Sequence, residues 1–95
     1  MNIALQVLPS SKEIHPYKIV DKAIKIIEDS GIKYRVCPFE TVMEGDYDVI
    51  MDIVKKIQIE CLNSGADSMI SNLKIQVDKY KDVSIEDKTA KYDKK

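Results

Sequence analysis

The sequence predicts an α+β sandwich in which a four-stranded antiparallel sheet carries two helices on one face. Three observations lead there. Two amphipathic stretches of helical period are set among short alternating stretches, in the order strand, helix, strand, strand, helix, strand. The link between the second and third strands is too short for anything but a hairpin. The chain has 95 residues, enough for one domain over 1–95 and no more.

The first strand is NIALQVL, residues 2–8, where Ile3, Leu5 and Val7 alternate with Ala4, Gln6 and Leu8. Pro9 and two serines are expected to close it. His15-Pro16 starts the first helix, since proline suits a first helical turn. Ile19, Val20, Ala23, Ile24 and Ile27 then share one face, with Asp21, Lys22, Lys25 and Glu28 on the other. Gly31 suits the left-handed position that ends a helix.

A second strand is expected over 32–39, with Tyr34 and Val36 opposite Arg35 and Cys37, and Pro38 limiting regular pairing. A third, TVMEG, covers 41–45. Asp46 stands at a helix N-cap position. The second helix is expected from Tyr47 to about Ser64, with Ile50, Ile53, Val54, Ile57 and Cys61 as its apolar stripe and Gly65 beyond its end. The last strand, 67–78, places Leu73, Ile75 and Val77 on one face and Asn72, Lys74 and Gln76 on the other. Ser84 and Asp87 have the spacing of a capping box, so a short C-terminal helix is expected within the tail 83–95. Right-handed crossovers then assemble two split units into the ferredoxin-like βαββαβ sandwich.

Composition narrows the function. Charged residues are 33% and hydrophobic ones 44%, with net charge −1, so no basic field exists to draw nucleic acid. MNIALQVLP has no positive leader, and no window approaches the roughly 18 apolar residues of a membrane span. A cytoplasmic protein without membrane partners is expected. Cys37 and Cys61 are far apart and accompany a single histidine, so no metal site is expected. No nucleophile–base pair or glycine-rich phosphate loop suggests an enzyme. An RNA-binding sheet would need aromatics on its first and third strands, and ALQVL and TVMEG have none. A metallochaperone would need paired cysteines in the first loop, PSSKEIHP.

With both helices on one side, the other sheet face is expected to be bare and to carry Ala4, Gln6, Leu8, Asn72, Lys74 and Gln76. Gln6 is an amide within an apolar strand. Amides donate and accept, so they suit a heterocycle edge or a subunit seam as well as solvent.

Four segments, ALQVLP, SGIKYRVCPFETVMEGD, GADSMISNLKI and SIEDKTAKY, resemble the small thiamine-binding protein family of ferredoxin-like fold over roughly residues 2–92. Pro38, Glu40, Thr41, Glu44 and Gly45 carry the resemblance most specifically, followed by Gly65-Ala66 and Lys74-Ile75. The resemblance implies non-catalytic binding of thiamine or its hydroxymethyl-pyrimidine precursor, with no further cofactor, in a pocket near the sheet and subunit seam. It also implies a homo-oligomer, dimer or tetramer. The family's loop after the first strand is rich in glycine, serine and threonine; here it keeps Ser10 and Ser11 without glycine. Set against the ligand, Gln6 and Asn72 match the aminopyrimidine edge. Phe39, Tyr34 or Tyr47 can wall its ring. Glu44 or Glu40 can meet the cationic thiazolium, and Thr41 offers a hydroxyl. Gln6, Ser10, Phe39, Thr41, Glu44 and Asn72 are thus the expected ligand residues. The alternative is an oligomerising interaction domain with no small-molecule ligand. Each residue also has an ordinary role open to it, as turn, strand alternation or solvated face.

Overall fold

A computed structural model describes residues 1–81 and 84–89 of the chain. Its elements are β1 (Asn2–Ser10), α1 (Pro16–Asp29), β2 (Lys33–Val36), β3 (Thr41–Glu44), α2 (Tyr47–Asn63), β4 (Ser68–Gln76) and α3 (Ile85–Thr89). The sheet order is β2-β3-β1-β4 and every pairing is antiparallel. This is the ferredoxin-like sandwich the sequence predicts.

The core follows from strand parity and helix period. Ile3 and Leu5 of β1 and Met43 of β3 point to the side on which α1 presents Ile19, Ala23 and Ile27 and α2 presents Ile50, Ile53, Val54, Ile57 and Cys61. Ile3, Ile19, Ile27, Met43, Ile50, Ile57 and Cys61 are almost wholly sealed from solvent. Each such side chain contributes roughly 1.5–3 kcal/mol through burial. Burial pushes the Cys61 thiol up from its ordinary pKa, and its sulfur lies 3.8 Å from the Ile19 carbonyl oxygen. It is a packing residue.

The helix starts differ in chemistry. His15 caps α1, its Nδ1 accepting the Tyr17 N–H at 3.2 Å. Asp46 occupies the N-cap of α2 but makes no side-chain cap bond. Gly31, at φ 76°, follows the end of α1 as expected. Gly65 has φ 118°, a conformation that other residues rarely adopt, and a Cβ there would also run into the Ile14 side chain.

Three departures from the sequence reading matter here. β1 runs through Pro9 to Ser10 instead of closing at Leu8. There β1 has β4 as its one described neighbour, because pairing with β3 ends at Leu5↔Thr41, and a one-sided strand tolerates a missing N–H. β2 stops at Val36, three residues early, and Cys37 donates its N–H to the Glu40 carbonyl at 2.9 Å to close the hairpin turn. The hairpin loop is therefore 37–40, and Thr41 already belongs to β3. The third departure bears on function. The outer sheet face is not bare along its whole length, because α3 lies across one end of it. The side chains of Asp87 and Lys88 lie outside the described residues, and with them the expected partner of Ser84 in a capping box.

Candidate functional site

Strand parity lays out the outer face in cross-strand rows. One row runs Gln76–Asn2–Glu44–Lys33, the next Lys74–Ala4–Val42–Arg35, and a third begins with the pair Asn72–Gln6. Further along come Ile70–Leu8 and Ser68–Ser10. The second row has two small apolar residues at its centre and two long cationic ones at its ends.

α3 is anchored on the first row. Ile85 is buried at 4% exposure, and its N–H donates to Glu44 Oε1 at 2.6 Å. Lys33 bridges Glu44 and Glu86, spanning the strand and the helix. Thr89 donates its hydroxyl to the Ile85 carbonyl at 3.0 Å. The Glu86 hydrogen bond raises the Lys33 pKa, and the Lys33 hydrogen bond lowers that of Glu86.

Between this helix and the sheet lies a cavity of about 300 Å³. Ala4 and Val42 form its apolar floor, with Ile85 and Thr89 above. Arg35 and Cys37 of β2 and its hairpin turn bound one side, and Lys74 and Gln76 of β4 the other. Glu40 closes one end and reaches Lys74 Nζ at 3.1 Å. At the other end stands Asn2. It is 3% exposed, lines the cavity, and neither its amide nitrogen nor its amide oxygen has a hydrogen-bond partner. A buried amide without partners costs roughly 1–3 kcal/mol, so whatever occupies the cavity must serve it. The volume stands at the lower end of the ~300–1,000 Å³ typical of small-molecule sites.

The residues expected from sequence fall in four places. Gln6 and Asn72 are on the outer face and directly opposed, with Asn72 Nδ2 donating to Gln6 Oε1 at 3.2 Å, beyond the covered end. Glu44 is on the same face and holds α3. Ser10 ends β1 opposite Ser68, away from the cavity. Thr41, 7% exposed, points to the helix side, and Phe39 stands 81% exposed in the hairpin turn. Thr41, Phe39 and Gln6 border a smaller cleft of about 100 Å³ beside α1. In the loop after β1, Ser11 Oγ accepts the N–H groups of Glu13 and Ile14, so its hydroxyl orders the loop.

Of the residues lining the cavity, the sequence reading singled out only Glu40 as able to meet a ligand; it did not single out Asn2, Arg35, Cys37 or Ile85, among others. Parity could have found Asn2, which stands two residues before Ala4 and four before Gln6. Nothing local could have placed Ile85. Among the described residues no group of three acidic, histidine or cysteine side chains is arranged to hold a metal, and no helix is long and apolar enough to cross a membrane.

The family model described as thiamine-binding protein matches residues 3–93. The chain belongs to the thiamine-binding protein family. A UPF0045 protein of Clostridium perfringens is 44% identical over 91 residues, covering 96% of this chain and 95% of that one. Among solved structures, a Bacillus cereus domain of unknown function, DUF77, superposes with a TM-score of 0.91 at 37% identity, over 96% of this chain and 88% of that one. A Thermotoga maritima protein, described provisionally as one of thiamine biosynthesis or salvage, gives 0.86 at 30% identity over 96% of each chain. In this chain the Asn2 cavity lies on the outer sheet face, opposite the helical layer.

Proposed function

We propose that the protein is a cytoplasmic, non-catalytic binder of thiamine or its hydroxymethyl-pyrimidine precursor, with the pyrimidine held in the cavity under α3. The observation that carries this reading is the partnerless Asn2 amide. An aminopyrimidine presents an exocyclic N–H beside a ring nitrogen, and an amide offers the complementary acceptor and donor. The flat apolar floor of Ala4 and Val42 suits the ring faces, and the family's description supplies the ligand class. The cavity offers amide, guanidinium and ammonium groups for recognition of such a ligand.

The test is thermal. Millimolar thiamine and millimolar pyrimidine alcohol are each added to the protein, and the melting temperature is followed. A ligand at about 100 Kd stabilises by ~2.7 kcal/mol, and in a chain of this size each kcal/mol moves the midpoint by roughly 4–8 °C. If neither compound raises the melting temperature, the reading is wrong.

The open half of the outer face supports assembly with a second copy. Leu8 and Ile70, opposed in register, are 46% and 61% exposed beside the Gln6–Asn72 pair. We place the seam of a dimer or tetramer there, which would bring Gln6, Asn72 and Ser10 to the subunit boundary. A light-scattering mass of one chain at micromolar concentration would remove that seam.

A further inference from the structure

Resting on the reading of a ligand beside Asn2, we propose that α3 is the gate of the cavity and that Glu44 is its latch, a positioning residue that acts on the ligand through the helix. Asn2 lies on the outer sheet face with Ala4, because Ile3 and Leu5 take the helical side. A side chain on that face meets solvent unless something covers it, yet Asn2 is 3% exposed. α1 and α2 pack against the other face. The described helix that shares the cavity lining with Asn2 is α3, through Ile85 and Thr89. A ring that reaches the Asn2 amide enters when this cover lifts.

The attachment of α3 suits a helix that opens on its own. Ile85 is buried, but it stands outside the central cluster. A second attachment is polar: Glu44 Oε1 accepts the Ile85 N–H at 2.6 Å, and Lys33 bridges Glu44 and Glu86, with the Arg35 charge also drawing on Glu86. One apolar anchor and a charge-assisted clamp belong to local opening and not to global unfolding. Glu44 stands in register between Asn2 and Lys33 but is not among the described cavity lining. One of its oxygens is on the Ile85 N–H, and the other lies 3.6 Å from Lys33 Nζ. Its loss therefore reaches a ligand by loosening α3, whatever charge the ligand carries.

Two measurements test the gate, the first without any ligand. Asn2→Cys is made in a Cys37→Ser background, and reaction of the thiol at position 2 with a soluble thiol reagent is timed in the folded protein. Cys61, sealed in the core, reports global unfolding in the same sample. The thiol at position 2 is expected to react more slowly than an exposed thiol and faster than Cys61. Adding Glu44→Ala should speed it about tenfold, the worth of one charge-assisted hydrogen bond, while Cys61 stays protected. Glu44→Gln keeps an acceptor for the Ile85 N–H and should recover most of the protection. A thiol that reacts as fast as an exposed one, a rate unmoved by Glu44→Ala, or a rise shared by Cys61 would overturn the gate. Titration calorimetry then compares thiamine with the pyrimidine alcohol in the protein with Asn2 intact. Glu44→Ala should weaken both by the same factor, about tenfold, and Glu44→Gln should weaken both much less. Loss of thiamine alone, in both variants, would put Glu44 against the thiazolium and overturn its role as latch. If neither compound binds the unsubstituted protein, the pyrimidine reading falls, and the thiol rates still decide whether α3 is a gate.

Discussion

Replacing Asn2 with leucine is expected to raise the melting temperature of the unliganded protein while abolishing its response to the pyrimidine alcohol. The two effects have one cause. Asn2 is 3% exposed and both its amide atoms are without hydrogen-bond partners, a state that costs folding free energy. Leucine keeps the branched outline of asparagine, has no polar atom to satisfy, and extends the apolar floor of Ala4 and Val42. The expected gain is about 1 kcal/mol, the low end of the range for such groups. That is a rise of roughly 4–8 °C. The same substitution removes the donor–acceptor pair to which the proposed function assigns the heterocycle, so ligand affinity should fall about tenfold or more. A destabilised variant, or one still stabilised by the alcohol, would show that Asn2 is not the reader.

The substitution Ile85→Asp is expected to free α3 and disable the site while leaving the main unfolding transition nearly unmoved. Ile85 is 4% exposed, but it stands apart from the central cluster of Ile3, Met43, Ile50 and Ile57. Its burial contributes about 1.5–3 kcal/mol to docking of α3 and little to the sandwich beneath. Amide exchange in 85–89 should accelerate sharply, and ligand binding should weaken by about tenfold, whereas exchange in α1 and α2 stays slow. Loss of α1 and α2 protection would mean that α3 is part of the global core.

The ionic clamp gives this docking a pH window. Lys33 holds Glu86 below the usual carboxylate range, so that contribution is present above about pH 4.3, the unfolded value, and fades as pH falls through the lowered pKa. Glu86 raises Lys33, so its contribution is complete below about pH 10.4 and fades as pH rises through the raised pKa. Both groups are exposed, so the effect belongs to α3 exchange rates and not to global stability.

How much of this was legible in the chain is clearest residue by residue. Ile3 and Leu5 against Gln6, and Ile50, Ile53, Ile57 and Cys61 at helical spacing, declare which faces are buried, since a period of two or of 3.6 has one apolar side. The short hairpin link and right-handed crossovers then leave one sandwich topology. Periodicity also placed Gln6, Asn72 and Lys74 on the outer face. It did not place Thr41, because a one-residue change in where the hairpin turns inverts every side chain after it. Here Cys37 bonds to Glu40 and sends Thr41 inward.

The sequence by itself determined the sheet, its two helical covers and the family, because these rest on local period and on motifs carried within single segments. Only the tertiary structure decided where a ligand can lie. Glu44 reads as a candidate partner for a cation, yet it is bonded to an N–H 41 residues away. Asn2 looks like the polar start of a strand until the fold buries it, at 3% exposure, in a cavity lining that it shares with Ile85. Both outcomes depend on α3 crossing to the far side of the sheet. That contact joins distant segments through one isoleucine and one ionic clamp, and no local pattern encodes its destination.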